Sequence, residues 1–198
     1  MFNTKLSKKI SWLLRHGAIE SKLEMDSAGW VQFSDLCAHT QATKEELLDV
    51  IERNEKSRFA LEEDRIRASQ GHSLAGTPVT LEALEASWIE YTTTNSCWHG
   101  TTIEALAGIA QKGILAGYRS HVHLTAAIDS KVGIRNQVHV ILEISPQRLK
   151  EAGQTLYQSP NGVILARYIP TSTIVDILPQ SKRARKNIQQ LKALFAIH

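Results

Sequence analysis

Asp64-Arg65-Ile66-Arg67-Ala68-Ser69-Gln70-Gly71-His72-Ser73 runs a strand pattern directly into a glycine. Alternation at period two puts Arg65 and Arg67 on one strand face and Ile66 and Ala68 on the other. Two guanidiniums on one face repel each other unless something anionic lies between them. Arginine matches phosphate oxygens in a bidentate fashion, so a phosphate is the first ligand to test. For an arbitrary Arg-x-Arg pair a solvated face is the commoner outcome. The sequel Gln70-Gly71-His72-Ser73 shifts the balance, because a glycine lets backbone approach a ligand closely.

The residues before this block read as three helical segments and a hairpin. Leu6, Ile10, Leu13 and Leu14 predict a helix over 4–16, with Gly17 at the position just past its end. Its opposite face carries Lys5, Lys8, Trp12 and Arg15, with His16 beside them. Cations in a last turn are already favoured by the helix dipole, so a simple charge pair is the plain alternative to a ligand site. Trp30, Val31 and Phe33 should anchor the next stretch in the core. Residues 34–39 allow one or two helical turns. Thr43-Lys44-Glu45-Glu46 is a capping box opening a helix to about Asn54. Residues 58–61 and 65–68 around Glu62-Glu63-Asp64 predict a hairpin, with Phe59, Leu61, Ile66 and Ala68 on one face. The outline is winged-helix-like, which suits nucleic acid but also serves protein interaction.

Residues 73–79, with Gly76 and Pro78, read as a connector, and 80–91 as a helix or a continuation of it. A strand then runs through 96–102 into a helix lined by Ile103, Leu106 and Ala110 and closed by Gly113. Residues 120–125 alternate as a strand, 126–132 allow a short helix, and 139–144 form an apolar strand. Pro146 and Gly153 bracket a further helix. Ser159-Pro160-Asn161-Gly162 is a hairpin turn between 156–157 and 163–166, and 173–178 is a last strand. The second half is α+β in character. The basic run 181–186 leads into Ile188, Leu191, Leu194 and Phe195 at helical spacing.

Several function classes are excluded by pattern. The chain has no phosphate-binding P-loop, no dinucleotide fingerprint and no nucleophile elbow. If NAD binds, a Rossmann fold is not the means. His121 and His123 share a strand face, but no third ligand stands at a metal spacing, so no metal is expected. A net charge of +3 does not by itself indicate nucleic acid. Cys37 and Cys97 lie far apart, as in a reduced cytoplasmic protein. No apolar run approaches the roughly 20 residues of a membrane span, and Met1-Phe2-Asn3-Thr4-Lys5 lacks a signal-peptide core. A monomer without a membrane partner is the expected state.

Six stretches in order carry a likeness to a known family. They are Leu6-Ser7-Lys8 through Leu14-Arg15-His16; Gly29-Trp30-Val31; Arg65-Ile66-Arg67-Ala68-x-Gln70-Gly71-His72-Ser73; His99-Gly100-Thr101; Arg119-x-His121-Val122-His123-Leu124; and Ser159-x-Asn161-Gly162-Val163. The chain resembles the RNA 2′-phosphotransferases of the tRNA-splicing type from Leu6 to about Leu178. The resemblance implies a winged-helix-like RNA-binding lobe over 1–76, a connector over 77–92 and an ADP-ribosyltransferase-like NAD-binding lobe over 93–198. It implies that an internal RNA 2′-phosphate attacks C1″ of the nicotinamide ribose of NAD, forming ADP-ribosylated RNA and releasing nicotinamide. The 2″-hydroxyl then attacks phosphorus and releases ADP-ribose 1″,2″-cyclic phosphate. It places Arg15, His16, Arg67 and Arg119 at the 2′-phosphate as the catalytic cluster, with Arg65 as a helper. Gln70, Gly71, His72, Ser73, His99, Gly100, Thr101 and Arg135 are implied as contacts to NAD or the junction between lobes.

The residue chemistry is compatible with that implication. Nicotinamide leaves as a neutral base, so no strong general base is needed, and fixed cations can stabilise charge at phosphorus where a metal would otherwise serve. No glutamate of the kind many protein ADP-ribosyltransferases carry can be placed; Glu143 lies on the apolar strand and matches no motif. The alternatives are an ADP-ribosyltransferase acting on protein or on a nucleic-acid terminal phosphate, and a non-enzymatic winged-helix regulator.

Overall fold

The computed structural model describes residues 3–54, 57–128 and 138–197. Two compact units emerge. The first is Met1–Ile89 with Tyr118–Ser120 and Ser159–Asn161; the second is Glu90–Gly117, His121–Gln158 and Gly162–His198.

The first unit opens with α1 (Thr4–Trp12), capped by Asn3, whose side-chain oxygen accepts the N–H of Leu6 at 3.0 Å. The helix expected to reach His16 changes form after Trp12. Leu13–Gly17 is a π-helical turn, in which hydrogen bonds span five residues rather than four. Gly17 is not an end cap. A side chain there would meet the Trp12 indole at 2.6 Å, so glycine is needed for that ring to lie on the turn. The chain continues through β1 (Val31–Gln32), α2 (Phe33–Thr40) and α3 (Lys44–Glu52). The capping box forms as read: Thr43 Oγ1 accepts from the Glu46 N–H at 3.2 Å, and Glu46 accepts from the Thr43 N–H at 2.9 Å.

The hairpin is β2 (Phe59–Glu62) against β3 (Arg65–Ala68), and β1 pairs with the other edge of β3, giving the order β1-β3-β2. Phe59, Ile66 and Ala68 are buried, but Leu61, opposite Ile66, is 44 % exposed at the loop end. Leu6, Ile10, Leu14, Leu36, Leu47, Val50 and Ile66 form one core. Helix α4 (Leu81–Ala86) covers only the front of the 80–91 stretch, where Thr80 Oγ1 caps the Ala83 N–H.

The division between the units falls within β4 (Ile89–Glu90); the second continues with β5 (Cys97–Thr101), a 3₁₀ turn, and α5 (Leu106–Lys112), which Gly113 ends at φ +72°. Then come β6 (Ile114–Leu115), β7 (Val122–Leu124), β8 (Val140–Ile144), α6 (Pro146–Glu151), β9 (Tyr157–Gln158), β10 (Ile164–Ala166), β11 (Tyr168–Ile169) and β12 (Ile174–Pro179). Strands group as β4-β9-β10-β7, β11-β6 and β12-β8-β5, with every registered pair antiparallel. Apolar residues of β5, β7, β8, β10 and β12 meet α5 and α6 in a second core. The basic tail forms α7 (Lys182–Lys186) and α8 (Ile188–Ala193), and Ala184 and Leu191 dock into that core. Arg183 pairs with Glu104 at 2.8 Å and Lys192 with Asp176 at 2.6 Å. The chain is therefore α+β. The helix expected over 126–132 falls partly outside the described residues. No helix of the described residues is long and apolar enough to cross a membrane.

Candidate active site

The π turn carries Arg15 and His16, and one inserted residue re-aims both relative to a regular helix. Backbone of residues 73–76, far along the chain, fixes it. The Ser73 N–H donates to the Arg15 carbonyl at 2.7 Å, and the Ile19 N–H donates to the Gly76 carbonyl at 3.1 Å. Gly76 passes so close that a Cβ would stand 1.9 Å from the His16 carbonyl oxygen. The Ser73–Gly76 stretch thus clasps the turn. His72 is fully buried, its carbonyl accepts the Ser120 N–H at 2.8 Å, and its ring borders Gly29, which turns at φ +86°. That last bond brings residue 119 into the first unit.

The electrostatics of the cluster are one-sided. Burial brings Arg15 down to about 10, with further lowering by Arg58 and Arg119. His16 is lowered from its ordinary value by burial, then by Arg15 and Arg119. Arg15 Nε and Nη2 are buried with no hydrogen-bond partner among the described residues. A buried guanidinium without an acceptor is costly, and two more cations beside it add to the cost. A groove of about 450 Å³ runs from Arg15, His16 and Arg58 along α1, and none of its lining residues is acidic. A dianion would satisfy the orphaned N–H groups and relieve the repulsion at once.

The structure thus gathers Arg15, His16 and Arg119, and adds Arg58. Nothing in the sequence reading singled out Arg58; the available signal was its place beside the inward-facing Phe59. Arg67 goes elsewhere. It is buried, its Nη1 donates to Ser87 Oγ at 2.6 Å, and its guanidinium stacks 4.6 Å from the centroid of Trp30. Arg65 lies 5.3 Å from the same ring and bridges to Glu62 at 3.1 Å. What lies between the two arginines is an indole face, not an anion. Trp30 is accordingly half-buried rather than a core anchor. It is presented by Asp26, whose carboxylate accepts the N–H groups of Ala28 and Trp30, each at 2.9 Å.

In the second unit His99 and Thr101 share one face of β5, with the buried Gly100 turned to the other. His99 Nδ1 lies 2.9 Å from the His123 carbonyl, which can only accept, so Nδ1 carries the proton and Nε2 is the acceptor of the neutral ring. This set can hold hydroxyl groups of a ribose. His121 and His123 are buried. Among the described residues no three His, Cys, Asp or Glu side chains gather as a metal site would need. Glu143 is engaged by Ser96 Oγ at 2.5 Å. Burial pushes the Cys97 thiol up to about 12, which disqualifies it as a nucleophile. Arg135 lies outside the described residues.

Comparison with known proteins places the chain in a family. The family model described as RNA 2′-phosphotransferase, Tpt1 / KptA family, matches residues 2–168. The chain belongs to this family. A relative from Rhizobium rhizogenes, named a probable RNA 2′-phosphotransferase, is 36% identical over 181 residues, 88% of this chain and 94% of its own. Proteins of the same name from Pseudomonas fluorescens and Acaryochloris marina are 38% and 35% identical, over 85% and 87% of this chain and 93% and 96% of theirs. The match spans the π turn, the hairpin and β5.

Proposed function

We propose that this protein is an NAD-dependent RNA 2′-phosphotransferase, which moves an internal RNA 2′-phosphate to NAD. The observation that carries the reading is the buried Nε and Nη2 of Arg15, without a hydrogen-bond partner among the described residues, with Arg58, Arg119 and His16 around them. Family membership and the names of the relatives support the same chemistry. The helix–strand–helix–helix–hairpin order of the first unit supports a winged-helix-like RNA lobe.

Arg15 and Arg119 hold the phosphate oxygens and orient one of them as nucleophile; orientation alone is worth several kcal/mol. His16 donates a hydrogen bond to the phosphate when protonated. Arg67, held by Ser87 and Trp30, steadies the strand that leads into the Ser73–Gly76 clasp. His99 and Thr101 bind hydroxyls of NAD. NAD supplies an anomeric carbon with a neutral leaving group and a neighbouring hydroxyl that can later attack phosphorus. The arginines then stabilise the charge at phosphorus without a metal.

The test is incubation with NAD and an oligonucleotide bearing one internal 2′-phosphate. Release of nicotinamide with a restored 2′-hydroxyl is the expected result. A stable ADP-ribosylated product would instead identify an ADP-ribosyltransferase, and intact substrate with folded protein would reject the reading.

A further inference from the structure

The phosphate cluster accounts for only one end of the 450 Å³ groove. The rest runs along α1, where Thr4, Lys8, Ser11 and Trp12 lie on the same face as Arg15, at the spacing of successive helical turns. Trp12 is 41% exposed. The outer edge of its ring lies over Gly17, where a Cβ would stand 2.6 Å away. An exposed aromatic ring thus sits within one turn of Arg15, flanked by Lys8 and Arg58, with no acid in the lining.

We propose that this groove is a subsite for the single-stranded RNA adjoining the 2′-phosphate, in which a nucleobase stacks on Trp12 and Lys8 holds a backbone phosphate. The assignment rests on the function proposed above. A stacking platform beside cations is the arrangement that binds single strands with little sequence preference, since every base has a π face and every nucleotide a phosphate. An acidic peptide would use the cations but leave the indole unengaged. Gly17 thereby acquires two jobs: it belongs to the turn that aims Arg15, and it seats the ring that registers the neighbouring base against it. The subsite fixes which sugar along the strand presents its 2′ position to the cluster.

The test compares two ligands on the full chain. A 2′-phosphorylated oligonucleotide with unpaired flanks samples the whole groove, whereas inorganic sulfate samples only the cation cluster. Trp12→Ala should weaken oligonucleotide binding in the absence of NAD about tenfold to hundredfold, and Trp12→Phe should recover most of the loss. Both variants should bind sulfate as the wild type does, read from the His16 ring resonances. Lys8→Ala should lower the slope of log affinity against log salt by about one. Wild-type oligonucleotide affinity in Trp12→Ala, together with an unchanged salt slope in Lys8→Ala, would overturn the assignment. Because the wild type is assayed alongside with NAD, the two failures separate. An active wild type with indifferent variants sinks the subsite alone, whereas an inactive wild type sinks the function itself.

Discussion

The guanidinium of Arg67 lies 4.6 Å from the ring centroid of Trp30, on the strand face it shares with Arg65. An aromatic face offers partial negative charge without a counterion, and a desolvated pair of this kind is worth roughly 2 kcal/mol. Arg67 is lowered from its ordinary value chiefly by burial, against the raising influence of Asp26 and Glu62, and its Nη1 is committed to Ser87. Arg67→Ala should therefore lose stability, by about 2 kcal/mol or more, as well as turnover. A double-mutant cycle with Trp30→Leu, followed by urea denaturation, should give a coupling of about 1–2 kcal/mol. Additive single effects would show that the contact does not hold the arginine.

Arg119 should act on the cluster through its charge. It is exposed, and it lowers both Arg15 and His16. Removing it takes one repelling cation away from these two groups, so in Arg119→Ala the His16 ring should titrate at a higher pH than in the wild type. Turnover should fall about tenfold to hundredfold, the value of one charged hydrogen bond of roughly 1.5–3 kcal/mol. An NMR titration of the His16 ring and rates on the same preparation check both halves. Wild-type turnover would remove Arg119 from the site.

These two arginines mark where sequence reading reached its limit. Period-two alternation correctly puts Arg65 and Arg67 on one face, but it cannot say what stands opposite, and Trp30 arrives from a loop built by Asp26 and Gly29. Signals that act within a few residues were legible: the Thr43–Glu46 box, Pro146 and Gly153 around α6, and the turn at Asn161-Gly162 between β9 and β10. The π turn was not, because its extra residue is stabilised by Ser73 and Gly76, far along the chain. Arg58 was missed for the same reason. Its relation to Arg15 exists only once the hairpin forms and β3 packs against the π turn.

His16 should report the state of the cluster through pH. Its value is lowered below 6.5 by burial, Arg15 and Arg119. Below 6.5 the unfolded chain therefore takes up protons that the folded one refuses, so this group contributes stability above pH 6.5 that is lost as pH falls through the window beneath it. A bound anion reverses the electrostatics, raising His16. Sulfate, which stays doubly charged across this range, should thus bind more tightly as pH falls. An NMR titration of the His16 ring with and without sulfate checks the sign. A downward or absent shift on sulfate addition would show that His16 does not face the anion.

Gly76 provides the sharpest test of how the site is braced. A methyl group there would sit 1.9 Å from the His16 carbonyl oxygen and 2.8 Å from its carbonyl carbon, and both are backbone atoms that cannot swing aside. Gly76 is also fixed by its own bonds, donating to Ser73 and accepting from Ile19. Either the clasp or the π turn must move, and the Ser73–Arg15 bond moves with it. Gly76→Ala should cost about 1–3 kcal/mol, the range for overpacking, and should slow turnover more than tenfold with NAD and substrate saturating. Gly108→Ala is the control. It lies inside α5 with nothing within 4 Å of the added carbon, so it should stabilise by up to about 1 kcal/mol, as alanine does in a helix interior, and leave the rate unchanged. If Gly76→Ala melts and turns over like wild type, the turn does not depend on this close approach, and the aim of Arg15 and His16 must be set by the helix alone.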